Sequence, residues 1–268
     1  MRGERSVIGR PKEQARFLKK HQLFMEKWPN LKKAIDVAFA RQVVLSSCVD
    51  KVVFALGNLC AEDFSEILLL CGNGYGFGAM KILRGMYERA VTARYLHQHP
   101  GEASAFVDFG WVSQYKLNER IKETFGEQVF NQCPDFKDQL EQTEKEYCEV
   151  KSQFMRGKKL NHTWSKLDFV TMAQRTGALG EPIFILLAYA LPTQQVHSTM
   201  HAILSQVETG KDKRVILGQS SQEEADRCLD VAHGILLDVL DLQYTHFKFE
   251  DLRQPLQRCC DDLKWRKP

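Results

Sequence analysis

Apolar residues recur along this chain at the three- and four-residue steps of helices. From Pro11, a stripe of Ala15, Leu18 and Leu23, flanked by Phe17, Phe24 and Met25, predicts a first helix that Trp28-Pro29 should end, because a residue before proline avoids helical angles. Asn30 is then the expected N-cap of a second helix to about Asn58, apolar at Ile35, Phe39, Val43, Val49, Val53 and Leu56. Asp63 is expected to open a short third helix with Ile67 to Cys71 at its centre, and a fourth should end at His99-Pro100-Gly101. A fifth covers Glu102 to Thr124. A sixth, opened by Pro134, is charged with a thin apolar stripe and reads as a solvated outer helix. The seventh runs from Ser165 to Thr176, closed by Gly177 and Gly180. After the nearly all-apolar Pro182 to Leu191, Pro192 should restart a helix through Val207, with a short extended piece near Val215. Ser221 caps a last long helix whose first turn is acidic, as the helix dipole favours, and the tail reads as one more short helix. No stretch shows the period-two alternation of sheets. The pattern predicts an all-α, mostly antiparallel multi-helix bundle with the fourth, eighth and ninth segments at its centre.

Composition narrows this picture. With 268 residues, 44% hydrophobic, the chain can bury a real core, and one helical domain over residues 11–268 behind a loose basic arm at 1–10 is expected. The net charge of +3, from 37 basic and 34 acidic residues, gives no dominant field, so any basic patch must be local. The RGKK loop at 156–159 and the KDKR loop at 211–214 are such places. Eight cysteines at irregular spacing, with no C-x-x-C, favour reduced and mostly buried thiols in a soluble, cytoplasmic protein. The N-terminus has no apolar signal core, and no apolar run reaches the ~18 residues of a membrane span.

Candidate chemistry gathers in two places. On the fourth helix, Arg84 and Glu88 are one turn apart, beside Met80, Val91 and Tyr95, on a face that should point inward. About a hundred residues on, His197 and His201 have the same four-residue spacing. The four glycines between Gly72 and Gly78 look superficially like a phosphate cradle, but no lysine-serine/threonine ending follows and no strand precedes. They are better read as letting the start of the fourth helix approach its neighbours closely.

Three segments occur in order: A-x-x-I-L-R-x-x-x-E-x-x-V-x-x-R-Y-L at 79–96, W-S-K-L-x-x-x-x-M-A-x-x-x-G at 164–177, and Q-x-V-H-S at 194–198. Together they resemble the bacterial helical family known as domain of unknown function 5677, over about residues 30–245. The resemblance implies a helical fold and a recurring set of Arg84, Glu88, Trp164 and His197. It implies no reaction. His201 rests on spacing alone.

Several chemistries can use these residues. His197 and His201 with Glu88 would supply three ligands to a metal-binding bundle, although neither E-x-x-H nor H-E-x-x-H occurs. A bundle resembling the HEPN ribonucleases would place an arginine and a histidine four to six residues apart. Arg16 with His21, Arg94 with His99, Arg156 with His162 and Arg227 with His233 all satisfy that spacing, so it discriminates little. Arg84 and His197 meeting across the bundle would do the same work. On the structural reading, Arg84 and Glu88 simply pair with each other while His197 caps the pair. Cysteine catalysis has no Cys-His context to support it. The expectation taken forward is a metal-independent, RNA-directed hydrolase without cofactor, with Arg84, Glu88 and His197 as catalytic residues and Trp164 and His201 as substrate contacts. The alternatives are a non-catalytic binding or homo-oligomerisation module and the metal-binding bundle. RNA is the expected partner, and a membrane is not.

Overall fold

The computed structural model describes residues 9–263 except 133, 198, 206, 210–214 and 218–220, without the side chains of 131–138, 201, 208–209, 215–217 and 263. The expected N-terminal arm lies outside this set except for Gly9 and Arg10. Arg10 is held, its amide donating to Asn73 Oδ1 (3.2 Å) and its guanidinium lying over the Tyr75 ring (4.4 Å).

The chain is all-α. In order come α1 (Pro11–Lys20), α2 (Gln22–Phe39), α3 (Cys48–Gly72), α4 (Gly76–Gln98), α5 (Ala103–Phe125) and α6 (Pro134–Val150). A small hairpin of β1 (Met155–Arg156) and β2 (Lys159–Leu160) leads to α7 (Phe169–Ala173) and α8 (Pro182–Phe184). A π-helical run, Ile185–Ala190, joins α8 to α9 (Leu191–Val196), which is followed by α10 (Met200–Leu204). A second antiparallel hairpin, β3 (Val207–Thr209) with β4 (Val215–Leu217), precedes α11 (Gln222–Phe247) and α12 (Arg253–Leu263). The extended piece expected near Val215 is β4, and the KDKR loop lies outside the described residues.

Several helix boundaries differ from the pattern reading: the expected first helix is divided at His21, and the expected seventh, Ser165–Thr176, is reduced to Phe169–Ala173. Pro29 sits inside α2 instead of ending it, so α2 dispenses with the one hydrogen bond a proline cannot donate. The expected second helix stops instead at Phe39, and α3 begins at a capping box: Ser47 Oγ accepts from the Asp50 amide (3.1 Å) and Asp50 Oδ2 from the Ser47 amide (2.9 Å). Asp63, expected to open a helix, is therefore in the middle of the 25-residue α3.

Contacts group the chain into two compact units, one of residues 1–98 with 169–268 and one of residues 99–168. In the first, α3, α4 and α11 form the centre, where Phe64, Ile67, Leu83, Met86, Leu236 and Leu240 are fully buried. The centre was expected in the fourth, eighth and ninth segments; α3 takes the place of the eighth because its continuous apolar stripe outlasts the short pieces of 182–204. The turn at Asn73 makes α3 and α4 antiparallel. The Ser221 amide bonds Gly74 O at one end of α11, and Gln243 Nε2 donates to Val53 O near the other (3.2 and 3.1 Å), so α11 runs antiparallel to α3 and parallel to α4. Gly76 permits this join: a β-carbon there would lie 2.5 Å from Ser221 O and 2.6 Å from the Ala225 amide nitrogen. Among the described residues no helix is long and apolar enough to cross a membrane.

In the second unit α5 packs on α6, and Val112, Val150 and Phe154 make a small core with Phe109, Trp111 and Leu160. Tyr115 and Tyr147 stack face to face across this pair, ring centroids 3.8 Å apart.

Candidate functional site

Arg84 lies on α4 between buried Met80, Leu83 and Tyr87, a place the helix period assigns to the edge of the inward face. Its side chain is 21% exposed and that of Glu88 40%, so the pair sits at the rim of the core instead of inside it. One turn apart, they are joined by Arg84 Nε donating to Glu88 Oε1 at 2.9 Å.

His197 reaches this pair from the C-terminal cap of α9, its own amide donating to Thr193 O (3.2 Å). The helix expected through Val207 is broken here. Thr199 accounts for the break: its hydroxyl donates to Gln194 O (3.1 Å) and accepts from the Ala202 amide (3.3 Å), which closes α9 and starts α10. His197 and His201 are therefore not on one continuous helix. His201 falls in α10, and its side chain lies outside the described residues.

Arg84 Nη1 and His197 Nε2 are 3.3 Å apart. A guanidinium has donors only, so as a hydrogen bond this contact has Arg84 donating and Nε2 accepting. The Arg84 guanidinium also faces the Tyr189 ring, 5.2 Å from its centroid. Tyr189 owes this position to the π-helical run, which ends where Pro192 has no amide hydrogen to continue an α ladder. Behind it, Phe169 packs on Tyr189 (4.6 Å) and edge-on against Tyr87 (5.8 Å). The Tyr87 hydroxyl donates to Leu179 O at 2.6 Å, and burial pushes its pKa up, so it remains a proton-bearing donor. Sequence reasoning missed Tyr189, Tyr87 and Thr199. Tyr189 was hidden in an apolar run, and the Thr-x-x-Ala start of α10 was the signal for the third.

Trp164 belongs to residues 99–168, where its ring packs edge-on against Phe106 (5.4 Å). Of the arginines in the sequence's Arg/His spacings, Arg94 is bound to Asp238 (3.0 Å) and Asp241 (3.2 Å), and Arg227 to Glu223 (3.1 Å) and Glu224 (3.3 Å). Both act as structural ties. Among the described residues no three His, Cys, Asp or Glu side chains are grouped to hold a metal ion. Cys60, Cys71, Cys228 and Cys259 are buried and free, Cys71 and Cys259 with pKa pushed up to about 12 by burial, which makes them inert as nucleophiles.

What this group can do follows from its chemistry. A guanidinium fixed at Nε by a carboxylate and backed by an aromatic ring presents hydrogen-bond donors in one direction, next to an exposed imidazole nitrogen carrying a lone pair. That combination suits an oxyanion and an adjacent proton. No curated protein and no solved structure matches the chain. A family model described as a family of unknown function, DUF5677, matches residues 50–214, which include Arg84, Glu88, Trp164 and His197. With more than half its length matched by that model, the chain belongs to this family.

Proposed function

We propose that Arg84, Glu88 and His197 cleave phosphodiester bonds of single-stranded RNA without a metal ion. The observation that supports this most is the 3.3 Å approach of Arg84 Nη1 to His197 Nε2 between α4 and α9. In the proposed step substrate opens the Arg84–His197 contact, and the freed His197 Nε2 takes the proton of a 2′-hydroxyl, whose oxygen attacks the adjacent phosphorus. Arg84 donates to the non-bridging oxygens as their charge grows, and the 5′-oxygen leaves with a proton from water. Glu88 keeps the guanidinium turned toward the phosphate. Reduced thiols go with a cytoplasmic setting.

Incubation of the protein with a labelled single-stranded RNA pool, in chelator and again with divalent metal, tests the reading. Cleavage by the parent in chelator is expected, abolished by His197→Ala and by Arg84→Ala with far-UV circular dichroism unchanged. An RNA pool left intact by the parent in both conditions overturns it.

A second reading, a non-catalytic module that self-associates, is supported by the exposed Ile183, Leu186, Val196, Met200, Ile203 and Leu204 along the same stretch of chain. Sedimentation of the parent as a concentration-independent monomer would remove it.

A further inference from the structure

Residues 151–167, KSQFMRGKKLNHTWSKL, hold Lys151, Arg156, Lys158, Lys159 and Lys166 and no Asp or Glu, in a chain whose total net charge is only +3. Its centre is the β1–β2 hairpin, in which Arg156 stands opposite Lys159 in register. Gly157, in the left-handed region at φ 64°, and Lys158 make the two-residue turn. Like charges directly opposite one another on paired strands repel. Arg156, Lys158 and Lys159 are nonetheless all exposed, and no salt bridge to any of the three is present among the described residues.

The cations stand on a fixed base. Phe154 is buried against Val112 and Val150, the Asn161 amide donates to Phe154 O (2.8 Å), and Lys116 Nζ donates to Asn161 O (2.6 Å) just beyond the hairpin. Side chains alternate along strands, so Arg156 and Lys159 share the face opposite to Met155 and Leu160, and Leu160 packs on the core. The result is an uncompensated cationic face; of the two apolar residues behind it, Leu160 packs on the core and Met155 is exposed.

We propose that this face docks the phosphate backbone of a single-stranded nucleic acid, independently of base sequence. Cationic side chains rooted about 5 Å apart across paired strands meet a polymer of closely spaced phosphates, and neutralising them relieves the Arg156–Lys159 repulsion. An anionic bilayer is the poorer match, since Leu160 is packed on the core and leaves Met155 as the one exposed apolar side chain of the hairpin, too little to insert. The surface belongs to residues 99–168 and is assayed by binding alone, so its test is independent of the cleavage proposal.

Fluorescence anisotropy of labelled twelve-residue oligo-U and oligo-T decides it, titrated at several salt concentrations. With about five phosphates neutralised, affinity should fall on the order of 100-fold between 50 and 200 mM salt. The triple variant Arg156→Ser, Lys158→Ser, Lys159→Ser keeps Gly157 and the turn. It should bind at least ~10-fold more weakly at 50 mM and lose less than ~10-fold over the same range. Arg156→Lys should behave as the parent, which separates charge from hairpin folding. Absence of binding to either oligonucleotide at 50 mM salt, an unchanged salt slope in the triple variant, or retention on phosphatidylserine vesicles without oligonucleotide binding would each overturn the proposal.

Discussion

Gly76→Ala tests whether the join of α11 to α4 is as close as the geometry requires. The added β-carbon would lie 2.5 Å from Ser221 O, 2.6 Å from the Ala225 amide nitrogen and 2.8 Å from Glu224 Cβ. Such contacts normally settle near ~3.5 Å, so the first turn of α11 must retreat by roughly 1 Å. Two of the three opposing atoms are main chain, and no rotamer change can remove them. The retreat stretches the 3.2 Å bond from the Ser221 amide to Gly74 O and loosens α11 against α3 and α4. Overpacking of this kind costs ~1–3 kcal/mol, against a gain of up to ~1 kcal/mol from the smaller unfolded-state entropy of alanine. The expected balance is a loss of ~1–2 kcal/mol, about 2–8 °C in Tm. Gly110→Ala is the control, because nothing lies within 4 Å of its added carbon in the middle of α5, and helix propensity should yield ~0.5–1 kcal/mol of stabilisation. Urea unfolding followed by far-UV circular dichroism measures both variants. If Gly76→Ala is as stable as the parent or more so while Gly110→Ala behaves as expected, the close approach of α11 does not exist in solution.

Two further perturbations read the core. Gln243 is fully buried, its Nε2 donating to Val53 O while its Oε1 has no partner among the described residues; Gln243→Met removes that unmet acceptor, and Val53 O keeps its helical bond, so urea unfolding should show a gain of ~1 kcal/mol. His97 Nδ1 and His246 Nδ1 are 2.8 Å apart, and His246 Nε2 lies 3.0 Å from Asp50 Oδ1; burial first, then His246 and Arg94, hold the His97 pKa below its ordinary value despite Asp241. A lowered histidine pKa means the unfolded chain takes the proton first, so stability should be full above about pH 6.5 and fall as pH drops through the folded value; His97→Gln should flatten a urea-midpoint profile there, and an equally steep profile in the variant would refute the assignment.

Period-3.6 patterning made the helices of this chain legible because most of them carry an apolar stripe that only a bundle can bury. Its boundaries were legible only where the backbone chemistry was local. Pro29 looked like a terminator, yet a proline costs a helix one bond and a local steric clash, and packing of Phe24 and Leu31 on either side outweighs that within α2. The Ser47/Asp50 box is written in the sequence as Ser-x-x-Asp, but Val43 and Val49 carry an apolar stripe through it that masks the boundary. The hairpins carried too few residues to show a period of two.

The candidate site divides along the same line. Arg84 and Glu88 could be paired from spacing alone, since one turn of helix fixes their meeting. The approach of His197 could not, because it spans 113 residues and depends on the chain turning at Thr199, where the apolar pattern runs straight on. Tyr189 depends on the π-helical run before Pro192, a backbone departure that no stripe of side chains records. Pattern reading assumes an unbroken ladder of hydrogen bonds, and both features that bring His197 and Tyr189 to Arg84 are interruptions of that ladder. Residues that meet because a helix is regular are visible from sequence; those that meet because it is interrupted need the side chains that compensate the interruption, here Thr193 on Tyr189 O (2.5 Å) and Thr199 on Gln194 O, to be recognised first.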